Sequence, residues 1–161
     1  MKKTLTIFIS IFVFTSCTNH SYDKQMPTDF SFKIINTTDS YDSKTGIYTR
    51  QYIGKDTTVI VLLTKSEMNL IYDVFKNNDF MSFPKEFECD KNGGSTLPAF
   101  DTTIEIKYNG KHKTVTNTTY CEKKIEQNKS DKFDEFGTVI MKIINKKHEI
   151  KNMRDSHIGF M

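Results

Sequence analysis

The dipeptide Asn109-Gly110, set between two runs that alternate apolar and polar, constrains this chain more than any other feature. Thr103 to Tyr108 alternates, with Ile104, Ile106 and Tyr108 on one side. Both Asn and Gly tolerate the positive φ of a type I′ turn, so the pair predicts a two-residue hairpin. Such a turn fixes the register: Tyr108 opposite Lys111, Ile106 opposite Lys113 and Ile104 opposite Val115. Two lysines then lie on the apolar side of the returning strand. That places it near a sheet edge, where charge discourages pairing with another chain. A lone hairpin is marginal, so the remaining chain must supply further strands and a covering layer.

Local patterns upstream supply them. Phe30 to Ile34 alternates and predicts a half-buried strand. Asp39 to Gly46 is dense in turn formers and reads as a turn. Ile47 to Ile53 predicts a second strand, and Gly54-Lys55-Asp56 a tight turn. Val59 to Leu63 is apolar on both faces, which predicts a central strand covered on each side. Thr64-Lys65-Ser66-Glu67 is a capping box, with a hydroxyl at the N-cap and Glu at N3. It opens a helix to about Asn77 whose face is Met68, Ile71, Val74 and Phe75.

Phe80, Met81, Phe83 and Phe87 form an aromatic connector around Pro84. It either plugs the sheet edge or, with Phe100, exposes an aromatic groove. Asp90 to Pro98 reads as a loop. A second helix is expected over about Asp131 to Lys147, with the stripe Phe133, Phe136, Ile140, Ile143 and Ile144. Lys142, Lys146 and Lys147 suit its C-terminal dipole. No internal repeat or low-complexity tract occurs. The expected order is β-β-β-α-β-β-α, an α+β two-layer sandwich with an antiparallel sheet of about five strands and two helices. Its expected core is Phe32, Ile34, Val59, Val61, Leu63, Ile71, Phe75, Ile104, Ile106, Phe136, Ile140 and Ile143.

The first residues carry a different message. Met1-Lys2-Lys3 is basic, Leu5 to Phe14 is mostly apolar, Thr15-Ser16 are small, and Cys17 follows. These are the parts of a secretory signal. Leu5 to Cys17 would reach about 20 Å as a helix, short of the roughly 30 Å of a bilayer core, so a spanning helix is not expected. Phe14-Thr15-Ser16-Cys17 resembles the lipobox of bacterial lipoprotein signals, which usually reads Leu, a small residue, Gly or Ala, then Cys. Phe14 departs from that pattern, and Ser16 is an accepted variant. The resemblance implies that Cys17 is acylated and becomes the first residue of the mature chain. Residues 1–16 would be signal peptide, 17–28 a flexible tether and 29–161 a single α+β domain. The alternatives are an ordinary signal cut nearby and an uncleaved anchor. More than one acyl chain gives stable membrane attachment.

Charge excludes one class of partner. The chain has 23 basic and 20 acidic residues, and without Lys2 and Lys3 the basic count falls to 21, so the mature balance is close to neutral. That leaves no electrostatic case for nucleic acid. Of three cysteines, Cys89 and Cys121 remain once Cys17 carries lipid, and an oxidising compartment allows them to pair. Two free thiols and a redox or metal-binding pair are the alternatives. A redox dithiol usually shows C-x-x-C, which is absent.

Several motifs together resemble a family of uncharacterised small lipoproteins of Gram-negative bacteria. They are the lipobox at Cys17, the turn Tyr41 to Gly46, the helix start Thr64 to Glu67, and the hairpin Ile104 to Lys111. The resemblance implies a place in the envelope and no particular activity.

Candidate chemistry is sparse. Asp90, Asn92 and Asp101 fall at positions 1, 3 and 12 of a calcium-type loop, but Gly94, Ser95 and Asp101 stand where such a loop needs a ligand, Gly and Glu, so no metal is expected. His20, His112, His148 and His157 lack ligand spacing. No G-x-S-x-G elbow occurs, and Glu86 and Glu88 share a loop without other sign of acid–base pairing. Asn36, Asn117 and Asn128 begin N-x-[ST] sequons. Asp56-Thr57-Thr58 and Asp101-Thr102-Thr103 resemble an O-glycosylation pattern of some Gram-negative envelopes. Glu149 to Met161 either docks on the domain or meets a partner.

The resulting expectation is a cell-envelope protein anchored by lipid to the inner or outer membrane, with its domain in the periplasm or at the cell surface. Its domain would be a non-catalytic binding or accessory module, with an envelope protein as partner and no cofactor. A diverged hydrolytic or carbohydrate-active envelope enzyme is the rival, and a purely structural envelope component the third reading.

Overall fold

The structure is a computed structural model and describes residues 25–156. Cys17, the signal segment, most of the tether, His157, Ile158 and Phe160 lie outside the described residues. The chain forms β1 (Ser31–Ile35), β2 (Asp39–Asp42), β3 (Ile47–Arg50), β4 (Thr57–Ile60), α1 (Lys65–Asn77), a 3₁₀ turn (Phe80–Ser82), β5 (Asp101–Tyr108), β6 (Lys111–Thr118), α2 (Gln127–Ile144) and α3 (His148–Lys151). The six strands make one antiparallel sheet in the order β4-β3-β2-β1-β5-β6. An α+β architecture with two main helices is therefore present, with one strand more than expected.

The β5–β6 hairpin follows its local chemistry. Asn109 and Gly110 sit at φ 48° and 71°. The register pairs Tyr108 with Lys111, Ile106 with Lys113 and Ile104 with Val115. The Asp29 carboxylate accepts from the amides of Asn109 and Gly110 at 3.0 and 2.7 Å, tying the domain's start to this turn. The bond from Gly110, more than any other group, holds that carboxyl below its usual range. β6 is an edge strand, and the Lys113 ammonium escapes the apolar face by donating to the Phe83 carbonyl.

Two expectations fail at the other end. Asp39 to Asp42 is a strand, not part of a turn; only Ser43 to Gly46 turns. β2 holds a single large apolar group, Tyr41, which is 1% exposed and donates its hydroxyl to the Val61 carbonyl at 3.0 Å. Pairing to β1 and β3 on both sides makes it a strand despite its polar composition. Gly46 permits the turn at φ 71°, and a Cβ there would approach the Val61 carbonyl oxygen to 3.1 Å. The run Val59 to Leu63, expected as a central strand, instead gives only Val59 and Ile60 to β4, the outermost strand, and Val61 to Leu63 lie beyond the strand's end. Only Val61 is fully buried; Val59 and Leu63 are half-buried, and Ile60 and Leu62 are 56% and 72% exposed.

The helices cover one face of the sheet. Thr64 and Glu67 form the reciprocal capping box: Glu67 N donates to Thr64 Oγ1 at 3.2 Å, and Thr64 N to Glu67 Oε2 at 2.7 Å. Lys147 donates to the same Glu67 oxygen at 2.6 Å, clamping the start of α1 to the start of α3. α2 begins at Gln127, earlier than Asp131, with Ser130 as its first buried residue. Phe32, Ile34, Ile104 and Ile106 meet Ile71, Phe75, Phe136, Ile140 and Ile143 in one core. The aromatic connector belongs to that core and makes no open groove. Phe80, Phe83 and Phe87 are buried, with ring centroids 5.1 to 5.9 Å apart in sequence, and Phe80 lies 5.4 Å from Phe136.

The tail docks on the domain as far as Ser156, its last described residue. Ile150 is buried, and the Arg154 carbonyl accepts from Arg50 Nη1 at 3.1 Å and from the Tyr52 hydroxyl at 2.7 Å. Ser156 donates to the Gln51 carbonyl at 2.6 Å.

Candidate functional site beside the paired cysteines

The end of the connector, Lys85 to Phe87, runs parallel to β6 at Thr116. Thr116 N donates to the Lys85 carbonyl and Phe87 N to the Thr116 carbonyl, at 2.9 and 3.3 Å. This brings Cys89 opposite the segment that follows β6. Single bridges then join Cys89 to Lys124 and Ser95 to Cys121. Cys89 and Cys121 lie 32 residues apart in sequence, with Cα atoms 5.7 Å apart, and the structure joins their sulfurs. Cys121 is buried, at 8% exposed, and Cys89 is half-buried.

Lys124 is the unexpected member of this site. It is 4% exposed. Its backbone amide donates to Gln127 Oε1 at 2.7 Å, which turns the chain into α2. Its ammonium donates to the Thr118 carbonyl at 2.6 Å and to Cys121 Sγ at 2.7 Å. Among the described residues no carboxylate forms an ion pair with it. Burial pushes its pKa down, and the more distant Asp134 and Asp101 pull it back up.

A second polar group lines the same cavity, which measures about 220 Å³. Asn117, buried at the end of β6, donates from Nδ2 to Ser130 Oγ and Asp134 Oδ1, both at 2.9 Å. Its Oδ1 accepts from Thr118 N at 3.0 Å. Ser130 and Asp134 stand one turn apart on α2. Burial raises the Asp134 carboxyl above its usual range, against the lowering effect of the Asn117 bond. The cavity thus combines a desolvated ammonium, a desolvated carboxyl and a sulfur. Its hydroxyl and amide satisfy one another, so what the arrangement offers chemically is a cation held against sulfur.

The other candidates from sequence scatter. Asp90 is occupied by its own neighbourhood: its Oδ1 accepts from Asn92 N at 3.0 Å and its Oδ2 pairs with Lys123 at 3.0 Å. Among the described residues no group of three His, Cys, Asp or Glu side chains is placed to hold a metal. His112 is exposed, 3.9 Å from Glu105, and His148 is exposed on α3. Glu86 and Glu88 are exposed. The Asn117 sequon is inaccessible because both its burial and its two donated bonds commit the amide. Thr57 and Thr58 are exposed on β4, and Thr102 and Thr103 half-buried on β5. No described helix is long and apolar enough to cross a membrane.

Sequence reasoning found the cysteine pair but missed Lys124. In Cys121-Glu122-Lys123-Lys124 the two lysines are chemically alike. Lys123 goes to solvent and Asp90, and Lys124 goes inward. The available signal was positional: Lys124 is three residues from Cys121 and immediately precedes the turn into α2. No protein-family model matches this chain, and no curated protein matches it in sequence.

Proposed function

We propose that the chain is a lipid-anchored protein of the bacterial cell envelope, acylated at Cys17, whose domain is a non-catalytic binding or accessory module. The observation that carries this reading is the cysteine placed where the apolar segment ends, at Phe14-Thr15-Ser16-Cys17. A paired Cys89 and Cys121 supports it independently, since such bonds persist in oxidising compartments. The attachment of Asp29 to the 109–110 turn also supports it, because the tether then leaves the domain from a fixed point. A non-catalytic role is supported by the polar groups at Asn117 and Ser130, which bond to one another and do not converge on an open point. One observation favours a hydrolytic enzyme instead: Asp134 and Lys124, with pKa values displaced in opposite directions, line one cavity.

Mass spectrometry of the mature N-terminus tests the anchor. The expected result is Cys17 as first residue, bearing acyl chains; an unmodified sulfur there overturns it. A pull-down of tagged protein from native membranes, beside Cys17→Ala, tests the module. One stoichiometric envelope partner supports it. No partner, with Cys17→Ala still on the membrane, refutes anchor and module together.

A further inference from the structure

Burying an ammonium without a carboxylate is costly, because desolvation disfavours the charged form. Lys124 bears that cost and spends one of its three donors on a disulfide sulfur, which is a weak acceptor. The same donor against a thiolate would be a charge-assisted bond, far stronger than its neutral counterpart. The lysine is thus placed for the reduced protein better than for the oxidised one.

The two sulfurs are not equivalent. Cys89 is half-buried and lines a surface cavity of about 680 Å³ between Pro84, Glu88 and Tyr120. Cys121 is buried against Lys124. Cys121 borders only the smaller cavity, of about 220 Å³, so a thiolate arriving from solvent reaches Cys89 first, and the leaving sulfur is the one beside the cation. Exchange runs faster when the leaving thiol has the lower pKa.

We propose that Cys89–Cys121 is a thiol–disulfide exchange site for a dithiol reductant, with Cys89 as the attacked sulfur and Cys121 as the leaving thiolate held by Lys124. In the first step a thiolate of the dithiol forms a bond to Cys89 Sγ. The Cys89–Cys121 bond breaks, and Cys121 leaves with the electron pair. In the second step the other thiol of the dithiol loses its proton and attacks the mixed disulfide. Cys89 leaves as a thiolate and takes up a proton. The dithiol ends as a disulfide and the protein gains two electrons, so the balance closes. The inference does not depend on the lipid anchor; it needs only the geometry at Lys124.

The charged groups around Cys121 decide its acidity. Lys124 is in contact. Asp101 at the start of β5 and Asp134 on α2 act from further away, and Glu122 lines the same cavity. The three carboxylates oppose the thiolate, and Lys124 is the one charged group in contact with the sulfur that favours it.

The first test uses proteins carrying Cys17→Ala and begins with Cys89→Ser, whose one remaining thiol is titrated by its thiolate absorbance. The expected Cys121 pKa lies below about 7.5, as for thiols beside a cation. The same titration in Cys89→Ser with Lys124→Met should return it to about 8.5 or above. A Cys121 pKa of about 8.5 or higher with Lys124 in place overturns the proposal. The second test needs no variant to fold. The native protein is treated with glutathione and an alkylating trap, and the products are mapped by mass spectrometry. Glutathione on Cys89 with the alkyl group on Cys121 is expected, and the reverse pattern overturns the assignment. With dithiothreitol as reductant, Lys124→Met should slow opening of the bond by about tenfold; an unchanged rate also refutes the role of the lysine.

Discussion

At the β6 end of the sheet the edge is closed. The Lys85–Phe87 segment bonds to Thr116, the cysteine pair lies just beyond, and Phe80, Phe83, Phe87 and Phe133 fill the space under α2. At the β4 end the outermost strand is four residues long, nothing described pairs with its far side, and Ile60 and Leu62 stand in solvent. What holds that end lies one strand inward. Arg50 is buried, bonds Asp39 at 2.8 Å and the Tyr48 hydroxyl at 2.7 Å, and reaches the Arg154 carbonyl of the docked tail. One end is sealed by rings and a cross-link, the other by a cation shared among polar partners. The difference predicts where substitutions will hurt and by what mechanism.

The largest effect belongs to the ring cluster. Phe80 is fully buried and touches Phe75, Phe83, Phe133 and Phe136. Phe80→Ala removes those contacts and leaves a cavity between two helices, which costs about 3–5 kcal/mol. Urea unfolding should show the midpoint fall with the slope unchanged. A loss below about 1 kcal/mol would mean that the closed end collapses around the gap and is not tightly packed.

Next comes the polar end. Asp39→Ala strands the Arg50 guanidinium, whose side chain is 11% exposed, so the loss is expected near 3 kcal/mol. Double substitution of Asp39 and Arg50 by apolar residues should cost less than Asp39→Ala alone, because no charge is then left buried. Additive losses would show that Arg50 is better hydrated than its position suggests.

A smaller effect is pH dependent. Partial burial pushes Glu67 upward, but the bonds from Lys147 and Thr64 outweigh it and hold the carboxyl below its usual range. A depressed carboxyl stabilises the fold above its unfolded pKa and loses that contribution as pH falls through the folded value. Asp134 works in the opposite sense: its raised pKa makes its charge a cost that disappears on acidification. Glu67→Gln should therefore lower the urea midpoint at pH 7 and approach the wild type as pH drops below about 4. Equal differences at both pH values would remove Glu67 ionisation from the account.

The same contrast governs what could be read from sequence. The β5–β6 hairpin was legible because its signals are local, whereas the pairing of Lys85 to Phe87 with Thr116 beside it was not. Asn109-Gly110 dictates its own dihedrals and therefore the register of sixteen paired residues along β5 and β6. The capping box at Thr64 is likewise local. The β4 end was not legible, since β2 is a strand only through its neighbours: Asp39 is tolerated there because Arg50 lies across from it. In Val59 to Leu63 composition shows apolar side chains but not which of them are buried, and only Val61 is fully so. At the site, the cysteines stood out by scarcity. Lys124 did not, because burial of one lysine out of a pair depends on the Thr118 carbonyl and the Cys121 sulfur, brought near by a turn that no dipeptide announces.

The smallest expected effect sharpens the comparison most. Ile60 and Leu62 contribute little to the core at their exposure, so Ile60→Lys should change stability by no more than about 0.5 kcal/mol. The outer strand Thr57–Ile60 carries no charge of its own, and uncharged edges are templates for pairing with another chain. Lysine at position 60 puts a charge beside that edge. If the bare edge drives self-association, light scattering of concentrated protein should fall for Ile60→Lys while the urea midpoint stays put. If the midpoint moves by more than about 1 kcal/mol, Ile60 is part of the fold's support and the β4 end is less open than its exposure indicates. A matching charge change at the covered edge, Lys113→Ile, should do the reverse: it removes the donor to the Phe83 carbonyl, so stability changes while association does not.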